Sequence, residues 1–145
     1  MRKLFTSAAL YATLGLLAGL FYREFTKSRG FTGETMLSVV HTHALALGMI
    51  VFLVALALDK VFDLSSAQSP AKTLFSLFFW FYNAGLLVTL TMLTTHGVMQ
   101  VLGVHASAAV SGIAGLGHIA LTIGIVHLFL ALNKAMKHGQ EPVRH

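Results

Sequence analysis

Eight histidines occur in a chain of 145 residues of which only 10% are charged. His138 and His145 fall in a polar tail, where solvation is expected, and His105 falls in a short link. The other five, His41, His43, His96, His118 and His127, fall within or beside long apolar runs. An imidazole held away from water costs free energy unless it is paired or coordinated, so a histidine at that depth marks a functional site by default. There is no Cys. That excludes disulfides, thiolate metal sites, iron–sulfur clusters and covalent c-type haem attachment. With few carboxylates in the runs, the ligands left for a metal are imidazole nitrogens.

His41 and His43 are the most informative pair. On a regular helix two positions subtend about 200°, so the two rings face opposite sides. Zinc sites favour histidines that converge, such as those at i and i+4. The His-x-His spacing suits a helix that serves two planar cofactors, with two interhelical hydrogen-bonding histidines as the plainer alternative. Gly48, seven residues after His41, falls on the His41 face two turns deeper and is expected to leave room for a flat ligand. Membrane imidazoles hold haem iron at its axial positions. Haem b is therefore the expected cofactor, with Arg23, Lys27 and Arg29 as partners for its propionates. His96 and His118 are further candidate metal ligands. His127 is expected to be structural, bonded to a carbonyl or to water.

The elements that carry these residues read as membrane helices. The chain is 56% hydrophobic, and its charge fraction is far below the soluble norm of about 25%. Four runs reach the roughly 20 residues that cross the hydrocarbon: Leu4 to Tyr22, Met36 to Leu58, Thr73 to Gly97 and Ala108 to Leu132. The expectation is a single all-α domain over residues 1–145, a four-helix membrane bundle. The first run is long and lacks a small-residue cleavage site, so it reads as a helix and not as a signal peptide. Its Gly15 and Gly19 make a GxxxG spacing that admits a second helix closely. At 1.5 Å per residue, His41 and His43 lie roughly 8 to 11 Å below the start of the second helix, in a layer expected to be shared with His96.

Lys and Arg counts set the expected orientation. With the N-terminus inside, the inner segments hold Arg2, Lys3, Lys60, Lys72, Lys134, Lys137 and Arg144, and the outer ones hold Arg23, Lys27 and Arg29. The excess places both termini in the cytoplasm. The basic residues flank the runs and form no stripe, so the net charge of +5 does not indicate nucleic acid.

Residues 38 to 52, SVVHTHALALGMIVF, resemble the tenth helix of the catalytic subunit in the haem–copper oxidase and nitric oxide reductase superfamily. The whole chain looks like a small bacterial family of four-span membrane proteins of unassigned function, which implies the bacterial cytoplasmic membrane. In the superfamily the two histidines of that helix bind two different haems, and the subunit is three pseudo-repeats of four helices. The resemblance implies that one chain here stands for one repeat and that a homotrimer would rebuild the ring. His41 of one chain and His43 of the next would then hold a haem between them. The superfamily places an adjacent His-His pair for copper on a third helix; this chain has the single His96, so copper is not expected. The function expected is electron transfer or binding of NO or O2, with oxidoreductase chemistry if the chain is an enzyme and a redox partner that the sequence does not name. The alternatives are a haem-free transporter or metal-ion carrier using His41, His43, His96 and His118 as a polar pathway, and a structural subunit of a larger complex.

Overall fold

The computed structural model describes residues 1–105 and 107–138. Four helices follow in order: α1 (Arg2–Ser28), α2 (Leu37–Phe62), α3 (Lys72–Val101) and α4 (Ala108–His138). Each is long and apolar enough to cross a bilayer, so the expected all-α membrane bundle is what the chain forms. Large apolar side chains such as Leu16, Val61 and Phe129 face outward all round the bundle, as a lipid environment requires.

Every helix outruns the apolar stretch from which it was expected. α1 continues past Tyr22 because Arg23, Glu24 and Lys27 are good helix formers, and it stops before Gly30, whose φ is +59°. α2 carries Asp59 and Lys60, expected in a loop, to Phe62 and ends at Asp63 in the left-handed region, φ 51°. Lys134, Lys137 and His138, expected in a tail, ride on the last turns of α4. His145 and Arg144 lie outside the described residues.

The chain folds as two antiparallel helical hairpins, α1 against α2 and α3 against α4, joined mainly where α2 meets α3. Small residues let the backbones close. A Cβ on Gly15 would meet the Leu45 side chain at 2.8 Å, and one on Gly85 would meet the Leu121 nitrogen at 2.6 Å and the Gly117 oxygen at 2.7 Å. The GxxxG of α1 is thus the seam with α2.

The two hairpins meet over an aromatic cluster. Phe52 of α2 is fully buried, stacked on Tyr11 at 5.7 Å and edge-on to Tyr82 at 5.5 Å between centroids. One end of the bundle is pinned where the Thr35 hydroxyl donates to the Gly97 carbonyl at 2.8 Å and the Met36 N–H donates to Gln100 Oε1 at 2.7 Å. The other end closes on Asp59. Its carboxylate is fully buried, accepts the Ser65 N–H and hydroxyl at 2.8 Å each, and lies 3.4 Å from the Met1 ammonium.

α2 is not a regular helix. Directly after His43 it widens into a π segment, Ala44–Ile50, before resuming at Val51. Two neighbours account for this. Tyr11 of α1 packs onto Gly48 so closely that no side chain fits there. Tyr82 of α3 donates its hydroxyl to the Leu47 carbonyl at 3.0 Å, partnering a carbonyl of the widened segment. Single π turns inside α-helices gather at functional sites.

Candidate histidine site

The helical histidines differ in what holds their rings. His43 is half-buried, and its Nδ1 lies 2.8 Å from the Val39 carbonyl one turn back on α2. His118 repeats the arrangement on α4 with the Ala114 carbonyl at 3.0 Å, and His127 with the Ile123 carbonyl at 2.7 Å. A carbonyl oxygen only accepts, so in each ring Nδ1 carries the proton. In a neutral imidazole that leaves a lone pair on Nε2. This is the arrangement by which proteins orient metal-ligating histidines. The expectation that His127 is bonded to a carbonyl holds; it also stacks on Phe81 at 6.0 Å between ring centroids.

His41 is held differently. It faces α1, where a Cβ on Gly19 would lie 3.7 Å from the His41 Cβ. Its Nδ1 is buried with no hydrogen-bond partner. An orphaned buried N–H is rarer and costlier than an orphaned acceptor. The ring proton therefore belongs on Nε2, and the lone pair is shut in against α1. The space expected beside Gly48 for a flat ligand is filled by Tyr11.

The other rings sort by helical phase. Positions seven and eleven apart fall within about 20° of one another on a helix, so His118 shares a stripe of α4 with Ile125 and Phe129. Those two residues, with Leu58 and Phe62 of α2, line an apolar groove of about 690 Å³ between α2 and α4. On α2 the π segment takes in one residue more than an α turn, about 100° of rotation. With that rotation His43 comes into line with Phe62; without it the two would lie about 100° apart. His43 and His118 thus share the phase of residues that line the groove, but neither lines it: Leu58 lies about 22 Å along α2 from His43. His118 lies about 10 Å along α4 from Ile125, on the side of the α3–α4 link.

His96 lies within about a turn of the depth of His41 but on another face. Its neighbour Gly97 packs on the backbone of Leu37, while His96, seven residues beyond Thr89, keeps the phase of the face that meets Gly117 of α4. His105 is exposed in the link. Among the described residues no three His, Asp or Glu side chains come together. Of the basic residues expected near a cofactor, Arg23 stands one turn beyond Gly19 on α1, exposed and 3.8 Å from Glu24. Arg29 lies over the Phe25 ring at 5.7 Å, and Lys27 is exposed.

Sequence reasoning found His43 and His118 but not what orients them. Small neighbours are no signal for it, since His127, with Ile123 at i−4 and Val126 and Leu128 beside it, makes the same bond at 2.7 Å. The π segment and the burial of Asp59 carried no signal in the local sequence.

No curated protein and no solved structure matches the chain. The family described as Protein of unknown function (DUF2871) matches residues 1–135, and the chain belongs to it.

Proposed function

We propose that this member of the family is a b-type haem protein of the membrane, serving electron transfer or the binding of a diatomic gas such as NO or O2. The observation that carries the reading is the Nδ1 bond of His43 to the Val39 carbonyl at 2.8 Å, which leaves Nε2 free to act as an iron ligand from the interior of an apolar helix. His118 is the second ligand on this reading. It has the same ring anchorage and shares the helical phase of Ile125, which packs toward α2 at the groove between the two helices. Haem b, when bound, supplies a one-electron iron couple and, where an axial place is open, a seat for the gas.

The chain's own residues do the rest. The Val39 and Ala114 carbonyls fix the tautomer of each ring and make Nε2 the more basic nitrogen. Both histidines lie inside membrane-spanning helices, where little water would compete for the iron. The likeness of residues 38 to 52 to a haem-binding helix of the haem–copper oxidase superfamily points the same way. Arg23 and Arg29 stand at the end of α1, near enough to the start of α2 to offset anionic propionates. On this proposal both termini face the cytoplasm and the membrane is the bacterial inner one.

The homotrimer expected from the sequence pairs His41 of one chain with His43 of the next. The Nε2 proton of His41 favours His118 in its place. A haem-free carrier with a histidine-lined path would need His41, His43, His96 and His118 on one channel, and they stand on different faces.

Purification from haem-supplied cells, with a visible spectrum, tests the reading. The wild type shows a Soret band with one haem per chain. His43→Ala and His118→Ala lose it, and His41→Ala keeps it. Co-expressed His43→Ala and His118→Ala chains recover no haem if both ligands come from one chain; recovery would place the haem between chains. A colourless wild type would overturn the proposal.

A further inference from the structure

At the membrane face that carries the N-terminus, the first turns of α1 and α3 flank a cavity of about 310 Å³. Three cationic side chains line it, Arg2, Lys3 and Lys72, together with Ser65 and Ser76. Its remaining walls are apolar, Leu4, Phe75 and Phe79. No acidic residue lines it. The nearest carboxylate, Asp59, is fully buried and occupied by Ser65 and the Met1 ammonium.

Three features converge on one kind of ligand. Neither α1 nor α3 has a side-chain cap at its start, and neither has an acidic residue in its first turn. The Ala71 and Lys72 N–H groups already bond Ser69, but the positive dipole ends of both helices have no acidic partner and favour an anion. Lys3 is held near the rim, its Nζ 6.0 Å from the Phe79 centroid and 5.8 Å from that of Trp80, which limits the entropy lost when it engages a ligand. The three cations are exposed, while Leu4 and Phe75 of the walls are buried.

We propose that this cavity is a binding site for a phosphate group. The cations and helix ends would hold the phosphate, and Leu4, Phe75 and Phe79 would accept whatever apolar stem it carries. Basic pockets between membrane helices take phospholipid headgroups in this way. The same chemistry serves an anionic lipid of the bilayer and a free phosphate from the aqueous side.

Native mass spectrometry of the full chain from nanodiscs of mixed phosphatidylglycerol and phosphatidylcholine separates the sources. The expected result is retention of one phosphatidylglycerol per chain, preferred by about tenfold over phosphatidylcholine, the scale of a few basic contacts at a membrane surface. Arg2→Gln, Lys3→Gln and Lys72→Gln combined should remove the preference with the helical circular dichroism unchanged. Lys134→Gln with Lys137→Gln, the same kind of charge loss on α4, should leave it. In a phosphatidylcholine-only sample, a rise in melting temperature with inorganic phosphate that the triple variant lacks would assign the site to free phosphate. No preference for the anionic lipid and no response to phosphate, or equal loss in the α4 control, would overturn the proposal.

Discussion

His41 and His43 stand two residues apart, and the backbone asks opposite things of their rings. The Val39 carbonyl draws the proton of His43 to Nδ1 at 2.8 Å, while the buried, partnerless Nδ1 of His41 sends its proton to Nε2. Nitrogen-15 spectra of the histidine-labelled, haem-free protein should show the Nδ1–H tautomer at His43, His118 and His127 and the Nε2–H tautomer at His41. An Nδ1–H signal from His41 would restore it as a ligand equal to its neighbour. Asp59 makes a second prediction at this scale. Its buried carboxylate gathers the Ser65 N–H, the Ser65 hydroxyl and the half-exposed Met1 ammonium. Asp59→Ala leaves those donors without their acceptor, the ammonium still reached by water, and should cost about 2 kcal/mol. Ser65→Ala removes one hydrogen bond and should cost about 1 kcal/mol. Unfolding in mixed detergent micelles measures both, and a cost for Asp59→Ala no greater than for Ser65→Ala would remove the carboxylate from its central role.

At the scale of the elements, the glycines separate contact from open surface. Gly85→Ala would drive a methyl into the backbone of α4 at Leu121 and Gly117, whereas Gly112→Ala meets nothing within 4 Å. The first should destabilise by about 1–3 kcal/mol, as overpacking does. The second should be neutral or slightly stabilising, since alanine is the better helix former. Melting temperatures of the two variants, compared in one detergent, decide the matter. The number of helices was legible in the sequence because long apolar runs have one solution in a bilayer. Their ends were not, because hydropathy marks the depth of the hydrocarbon and not the last hydrogen bond; α1 passes straight through Arg23 and Lys27 to Ser28. The spacing of Gly48 was legible and its use was not. The gap it leaves is closed by Tyr11, from a helix more than thirty residues earlier. The π segment likewise depends on Tyr11 and Tyr82, which no local pattern in α2 can announce. It also sets the phase of His43 against the lower half of the helix. Of the candidate site, the pair of helix 2 was therefore visible as residues, and only the packing separated a ligand-ready ring from one turned inward.

For the whole molecule, the glycines of α1 and α4 divide in two. Gly15 and Gly19 are spent on α2, and Gly117 and Gly124 on α3. Gly112 and Gly115 face open space in the single chain, which leaves the outer part of α4 for contact with another chain. If a homo-oligomer forms through that face, Gly115→Leu should shift the native mass to monomer without changing the melting of the fold; an unchanged oligomer would direct attention to the other lipid-facing surfaces. Orientation is tested separately. With termini in the cytoplasm, an impermeant thiol reagent added outside should label Ser28→Cys and spare Gln68→Cys. The reverse pattern would invert the protein in the membrane and move the phosphate cavity to the outer face.

The division into two hairpins has a consequence for how the protein is made. Most of the packing lies within α1–α2 and within α3–α4, so each pair can leave the insertion machinery as a largely formed unit before the other is translated. Docking then brings together the side chains around Phe52, the Tyr82 hydroxyl with the Leu47 carbonyl, and the end where Thr35, Met36 and Leu37 close on Gly97 and Gln100. A gene split within the loop after Ala67 should thus yield two separately inserted fragments that find one another in the bilayer and restore the full protein.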